Sequence, residues 1–358
     1  MQLDSKKKLA LEYYRVYRKA ETEEHPLTYF FWECTLRCNL HCLHCGSDCL
    51  KDAIPDMPRE DFLQVLDSLK PHIDPKRFIV VITGGEPLMR PDLVECGKEI
   101  KKRGYPWGMV TNALAMTPEK MADLVNAGLK SMTISLDGLQ STHNHFRGSE
   151  HSYDQAVQAI YMATHTPGLT FDIVTCVNKQ NLPELPEIRE MLIKLGLKRW
   201  RIATVFPKGR AKDNPLFQLT DQEFKQVFDF IRETKLQGKI NANYGCEGFL
   251  GSYEHAARDY PFFCRAGINI GSVLADGSIS ACPSLRGDYI QGNIYKDDFW
   301  DVWQNRYQVM RDHSWAKIGD CETCEYWDFC EGSSLHLRDE KTKQLAYCHV
   351  KRLQNAGV

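Results

Sequence analysis

Three cysteines, Cys38-Asn-Leu-His-Cys42-Leu-His-Cys45, constrain this chain more than any other feature. They directly follow an apolar, aromatic run at Tyr29-Phe-Phe-Trp32. Thiolates crowded this closely bind a metal ion or an iron–sulfur cluster. A closed tetrahedral site takes four ligands; the triplet supplies three, and His41 or His44 would have to complete a zinc knuckle. A cube of four irons on three cysteines instead leaves one iron open to another molecule. Cys34 and Cys49 also lie near the triplet, one in the first strand and one beyond the loop. Both read as non-ligands.

The rest of the composition narrows the class. The chain has 358 residues and a net charge of −2, which gives no support for a nucleic-acid or anionic-membrane partner. Its N-terminus is polar and lacks the apolar core of a signal peptide, and no apolar run is long enough to span a bilayer. Fourteen cysteines without an export signal point to metal or cluster ligation in a reducing cytoplasm rather than to disulfides.

Residues 5–20 read as an amphipathic helix with Leu9, Tyr13, Val16 and Ala20 on one stripe, packed on the outside of the main domain. Its basic, aromatic face is suited to gripping a peptide. A repeating unit then begins. Apolar runs at 28–33, 78–83, 107–111, 131–136, 171–177 and 199–205 alternate with amphipathic segments near 59–70, 91–103, 118–127, 153–163 and 182–195. Pro58, Pro91-Asp92 and Thr117-Pro118 mark helix starts, and Gly104, Gly128 and Gly196 mark helix ends. Strand and helix alternating at this period predict an α/β fold, a parallel sheet with helices outside that forms a partial six-unit TIM-like barrel. Ligands of such sheets bind at the carboxyl ends of the strands, where the Cys38–Cys45 loop falls. A helix from Thr220 to about 236 closes the repeat. The expected divisions are an N-terminal extension at 1–27, a core at 28–236, a bridge at 237–263, a cysteine-rich domain at 264–350 and a tail at 351–358.

The CxxxCxxC triplet after a first strand resembles the motif of the radical S-adenosylmethionine (SAM) enzymes, and Thr83-Gly-Gly-Glu-Pro87 after the second strand extends the likeness. Alone, the glycines need only mark a turn. The resemblance implies a [4Fe–4S] cluster on Cys38, Cys42 and Cys45 whose open iron chelates the amino and carboxylate groups of SAM. It implies that Gly84, Gly85, Glu86 and Pro87 hold the methionyl amino group. Asn112 ends the third strand. Ser135 and Asp137 end the fourth, followed by His143, His145 and Arg147. The family carries a similar arrangement in which the Ser lies near the ribose and the Arg reaches the SAM carboxylate, to which a guanidinium fork is suited. Val205, at the end of the sixth strand, corresponds to a position near the adenine.

The C-terminal cysteines resemble the SPASM extension of the same family. Cys264, Gly277 and Cys282 fit its first part; Cys321-x2-Cys324-x5-Cys330 and Cys348 fit its second. The resemblance implies an auxiliary [4Fe–4S] cluster on Cys321, Cys324, Cys330 and Cys348. The next expected cysteine is Ser334, so the nearer auxiliary cluster keeps only Cys264 and Cys282, with Cys246 as a possible third ligand. An open or serine-ligated iron, a smaller cluster and no nearer cluster all stay open at this point. Structural zinc is the alternative for the whole set.

The implied activity is reductive cleavage of SAM to a 5′-deoxyadenosyl radical that abstracts hydrogen from a peptide or protein. His143, His145, Asp137 and Tyr244 are available for proton transfer. The implied partners are a peptide or protein substrate and an electron donor such as flavodoxin or ferredoxin. About 27 residues precede the first strand, too few for a separate leader-recognition domain. Pro283 stands where sulfatase-maturing members carry Asp, which argues against formylglycine formation. The run from Cys34 to Cys42 is similar to a small group linked to a partner lipoprotein. A radical SAM enzyme acting on a small molecule or tetrapyrrole, and a non-enzymatic structural metalloprotein, are the competing readings.

Overall fold

A computed structural model describes residues 3–47, 49, 54–212, 214–245 and 247–358. Ten strands form one sheet in the order β10-β9-β8-β1-β2-β3-β4-β5-β6-β7. Six of them carry the expected repeat: β1 (Tyr29–Glu33), β2 (Ile79–Thr83), β3 (Trp107–Thr111), β4 (Leu129–Ser135), β5 (Thr170–Val177) and β6 (Arg199–Thr204). All are parallel to their neighbours. The covering helices are α2 (Arg59–Leu69), α3 (Leu93–Lys102), α4 (Pro118–Asn126), α6 (Ser152–Thr164) and α7 (Leu185–Lys194), preceded by α1 (Ser5–Glu24) and followed by α8 (Asp221–Gln237). Between β4 and α6 stands α5 (Gln140–Arg147), which the apolar pattern did not announce.

β1 alternates over Tyr29–Trp32, and the buried residues of β6 stand two apart over its whole length. Phe30 and Trp32 of β1 are fully buried under the helices, where Phe30 stacks near Phe62, Phe78 and Phe299 and Trp32 lies flat on Phe62. Tyr29 and Phe31 face the concave side and stay partly accessible. The same period makes the concave face of the later strands polar: Asp172 of β5 is bonded by Thr133 of β4 and by Arg201 of β6. One face packs and the other stays open to a ligand.

Two additions extend the sheet beyond the six-strand repeat. β7 (Asn241–Tyr244) pairs in parallel with β6, and β8 (Ile270–Val273) pairs in parallel with the free edge of β1. β9 (Ser278–Ser280) and β10 (Gly292–Asn293) continue from β8 as an antiparallel meander. The cysteine-rich region is therefore joined to the barrel by backbone hydrogen bonds, which cover an edge that would otherwise be exposed.

α1 packs on the outside of the molecule with a different face from the one its apolar stripe suggested. Leu11 enters a cluster with Phe249, Phe262, Tyr326 and Phe329. Buried Arg18 donates to the carbonyls of Phe329 (2.6 Å), Asp328 (3.0 Å) and Phe262 (3.4 Å) and pairs with Glu331. One guanidinium satisfying several carbonyl acceptors fixes the helix more firmly than the Leu9–Tyr13–Val16 stripe, which faces solvent.

Candidate functional site

The loop after β1 is pinned to the end of β2 by the main chain. Cys34 N–H donates to Thr83 O (2.9 Å), Gly85 N–H to Thr35 O (2.8 Å) and Glu86 N–H to Arg37 O (2.9 Å). Those contacts explain the two glycines. A Cβ on Gly84 would overlap the Thr35 carbonyl oxygen, and one on Gly85 the Arg37 carbonyl oxygen. Gly84 also has φ +144°, which L side chains rarely adopt. The far end of the loop is held by the segment after β6: Arg210 N–H donates to Cys45 O (3.1 Å) and Arg210 Nε to Cys42 O (2.8 Å). Leu43 N–H donates to Phe146 O of α5 (2.9 Å).

These restraints gather Cys38, Cys42 and Cys45 in one cavity of about 120 Å³ at the carboxyl ends of the strands. Gly84, Gly85, Glu86, Asn112, Ser135 and Arg147 line the same cavity. Two of the thiols receive polar donors: Asn112 Nδ2 lies 3.9 Å from Cys38 Sγ and Arg147 Nη1 lies 3.6 Å from Cys42 Sγ. Burial pushes the Cys38 thiol up to about 11 and raises Cys42 as well, while a hydrogen bond from Cys49 holds Cys45 well below the usual thiol range. Cys49 also lines the cavity, closer to the triplet than its position past the loop suggested. Three convergent soft donors with hydrogen-bond donors aimed at their sulfurs fit an iron–sulfur cluster. Cys34 is fully buried in the core, away from the cavity lining.

Several residues reach the site in other ways than expected. The buried Glu86 carboxylate accepts from Thr111 Oγ1 (2.7 Å), Asn112 N–H (2.7 Å) and Leu88 N–H (3.1 Å). It latches the end of β2 to the end of β3, and burial raises its pKa against those three hydrogen bonds. Pro87 opens the one-turn helix that Glu86 caps and is buried outside the cavity lining. Asp137 is fully buried behind the cavity. It pairs with Arg147 (2.5 Å) and His44 (3.2 Å) and accepts from Cys176 N–H (2.9 Å). Burial alone would raise its pKa, but Arg147 and His44 outweigh that and hold it far below the carboxylate range. His44, Asp137 and Cys176 bring ligand atoms within 4.8 Å of one another, yet the Arg147 guanidinium already neutralises the carboxylate. Val205 lines a separate cavity of about 350 Å³ with Thr204, Tyr347 and Arg352.

Among the proposed proton-transfer groups, His143 is buried, accepts from Asp137 N–H (2.9 Å), and is lowered to about 3 by burial. His145 is exposed. Tyr244 sits in a buried network that sequence reading did not find. Its OH contacts Glu247 (2.7 Å), Thr204 (2.8 Å) and His349 (3.0 Å). Burial raises Glu247 to about 7.

A second set of thiols meets in the C-terminal region. Cys321, Cys324, Cys330 and Cys348 line one cavity of about 410 Å³. Buried Arg338 Nη2 lies 3.3 Å from Cys321 Sγ, and burial pushes Cys330 up to about 12. Four thiols around one apolar cavity fit a complete cluster ligand set. Cys264 and Cys282 lie outside that lining, partly buried against the main core. Ser334 is buried, and its hydroxyl donates to the Glu247 carbonyl, which also receives Ser334 N–H (3.2 Å) and Ser333 Oγ (3.0 Å). The serine is committed to fastening this loop to the end of the barrel and does not fit as an iron ligand. Cys246 lies outside the described residues.

Comparison with known proteins agrees with this geometry. Residues 32–192 match the radical SAM superfamily, and residues 264–325 match the SPASM iron–sulfur cluster-binding domain. An AdoMet-dependent heme synthase of Methanosarcina barkeri is 26% identical over 320 residues, covering 84% of this chain and 89% of that protein. The mycofactocin maturase MftC of Mycolicibacterium smegmatis is 27% identical over 314 residues, covering 85% and 77%. Streptococcus suis SuiB bound to its precursor peptide SuiA has the same fold, with a TM-score of 0.69 at 18% identity over 88% of this chain and 74% of that one. So does anSMEcpe with bound AdoMet and a peptide, with a TM-score of 0.70 at 17% identity over 92% and 94%.

Proposed function

We propose that this chain, which belongs to the radical SAM superfamily and carries a SPASM domain, modifies a peptide or protein after hydrogen abstraction. The observation that carries the reading is the single cavity shared by the Cys38/Cys42/Cys45 thiols and the Gly84–Gly85 backbone. Cys38, Cys42 and Cys45 would hold the [4Fe–4S] cluster. The Gly84–Gly85 backbone would receive the SAM ammonium, and Ser135 lies within the same cavity. Bound together, cluster and SAM supply one-electron cleavage of the sulfonium to a 5′-deoxyadenosyl radical. Arg147, clamped by Asp137, keeps a fixed positive charge beside Cys42. Glu86 fastens the β2 end to the β3 end from within the same cavity. Cys321, Cys324, Cys330 and Cys348 would hold an auxiliary [4Fe–4S] cluster, and Cys264 and Cys282 would serve a nearer one.

The peptide substrate is supported by the likeness to a mycofactocin maturase and by the exposed aromatic face of α1. A tetrapyrrole substrate is the second reading, favoured by similar identity to heme synthases over comparable lengths. Among the described residues no helix is long and apolar enough to cross a membrane. We place the protein in the cytoplasm, with a flavodoxin or ferredoxin as its reductant. The test incubates anaerobically reconstituted protein with SAM, reductant and either candidate peptides or iron coproporphyrin. A peptide product changed in mass by hydrogen loss supports the main reading. Decarboxylated porphyrin with unchanged peptides transfers the assignment to tetrapyrroles.

A further inference from the structure

α1 turns an apolar stripe to solvent: Leu9, Tyr13 and Val16 are 72%, 81% and 63% exposed. Contiguous exposed apolar side chains on an otherwise moored helix mark an interaction surface. Tyr13, Tyr14 and Tyr17 form one wall of a groove of about 690 Å³, and Tyr260 to Phe263 form the other. Tyr260 is itself 75% exposed. Tyrosine offers a large amphipathic contact at small entropic cost, which suits peptide recognition.

The charge of the groove is one-sided. Among the described residues that line it, the charged ones are Arg258 and Arg265. Arg258 is committed to Glu254 (2.8 Å) and to the carbonyls of Gly245 and Gly248. Arg265 is exposed, and its guanidinium has no hydrogen bond or ion pair among the described residues. Its charge acts on Tyr14 and Tyr17 in the groove and also on Tyr29 of β1. Tyr29 faces the concave side of the barrel, and Asn269, whose carbonyl accepts from Tyr29 N–H (3.0 Å), lines the groove. Through Asn269 the groove reaches the amino ends of β1 and β8. A second copy of the chain docked through this face across a twofold axis would set like charges against each other.

We propose that the groove between α1 and residues 258–265 docks an acidic, aromatic-bearing substrate peptide, with a carboxylate on Arg265 and apolar side chains on Tyr13 and Tyr260. The proposal rests on the peptide reading above.

The test is fluorescence anisotropy with reconstituted holoprotein and two labelled short peptides, one of Glu, Tyr and Gly and the other with Lys for Glu. The acidic peptide is expected to bind, and to bind less as salt rises. Tyr13→Ala/Tyr260→Ala and Arg265→Gln are each expected to weaken it about tenfold, with Arg265→Lys retaining most of the affinity. Deoxyadenosine formation without peptide stays unchanged in the double tyrosine variant, whose altered residues are exposed. Equal binding of both peptides, or binding insensitive to the variants, overturns the groove and leaves the peptide reading standing. Uptake of iron coproporphyrin with no peptide bound overturns both.

Discussion

At the scale of the residue, the cysteines were legible because their spacing is itself the chemistry. The roles of the polar residues were not, because their partners lie far away in sequence. Glu86 reads as a ligand for an ammonium, and its carboxylate also accepts from Thr111, Asn112 and Leu88, which no sequence pattern announces. Replacing Glu86 by Gln turns an amide NH2 toward those donors. The expected loss is about 1–3 kcal/mol in urea unfolding of the apoprotein. Asp137 reads as a cofactor contact and instead clamps Arg147 from behind. Glu247, unmarked in sequence, is raised by burial from 4.5 to about 7. A raised carboxyl binds protons in the folded state that the unfolded chain releases. Its contribution to stability is therefore present below the unfolded pKa and lost as pH rises through about 7. Denaturation midpoints of the wild type should fall between pH 5 and 8 by roughly 1 kcal/mol per pH unit at the steepest. The Glu247→Gln variant should lack that component.

At the scale of the element, helix and strand alternation was readable wherever one face had to be apolar. The elements missed were the polar ones. α5, Gln140–Arg147, buries only His143, Phe146 and Arg147, so no 3.6-residue apolar stripe announces it. β7, Asn-Ala-Asn-Tyr, carries polar residues on the concave side and adds to an existing strand by backbone bonds. β8 pairs with a strand more than 200 residues earlier, and no local pattern encodes that. α1 was found as a helix, but its packing face was misassigned because a charged residue, Arg18, does the mooring. Arg18→Ala leaves three carbonyls without their donor. It should raise hydrogen exchange across residues 5–24 while the barrel strands stay protected.

At the scale of the whole molecule, two thiol sites stand on one continuous sheet-based scaffold. One lies at the strand ends of the barrel and the other in the segment that follows β10 in the chain. Ser333 and Ser334 bond the Glu247 carbonyl, and Thr204 and Tyr244 bond the Glu247 carboxylate, so a single residue ties the distal cysteine loop to the ends of β6 and β7. The central expectation is that this scaffold carries one SAM-cleaving cluster and at least one auxiliary cluster. It is tested most directly by purifying the protein without oxygen, counting iron and sulfide per chain, and assaying 5′-deoxyadenosine after adding SAM and a strong reductant. About eight irons are expected, or about twelve if Cys264 and Cys282 hold a nearer cluster, with deoxyadenosine in the wild type and a Cys38→Ala/Cys42→Ala/Cys45→Ala variant that has about four fewer irons and forms none. Zinc in place of iron, or deoxyadenosine that persists without the triplet, would contradict it.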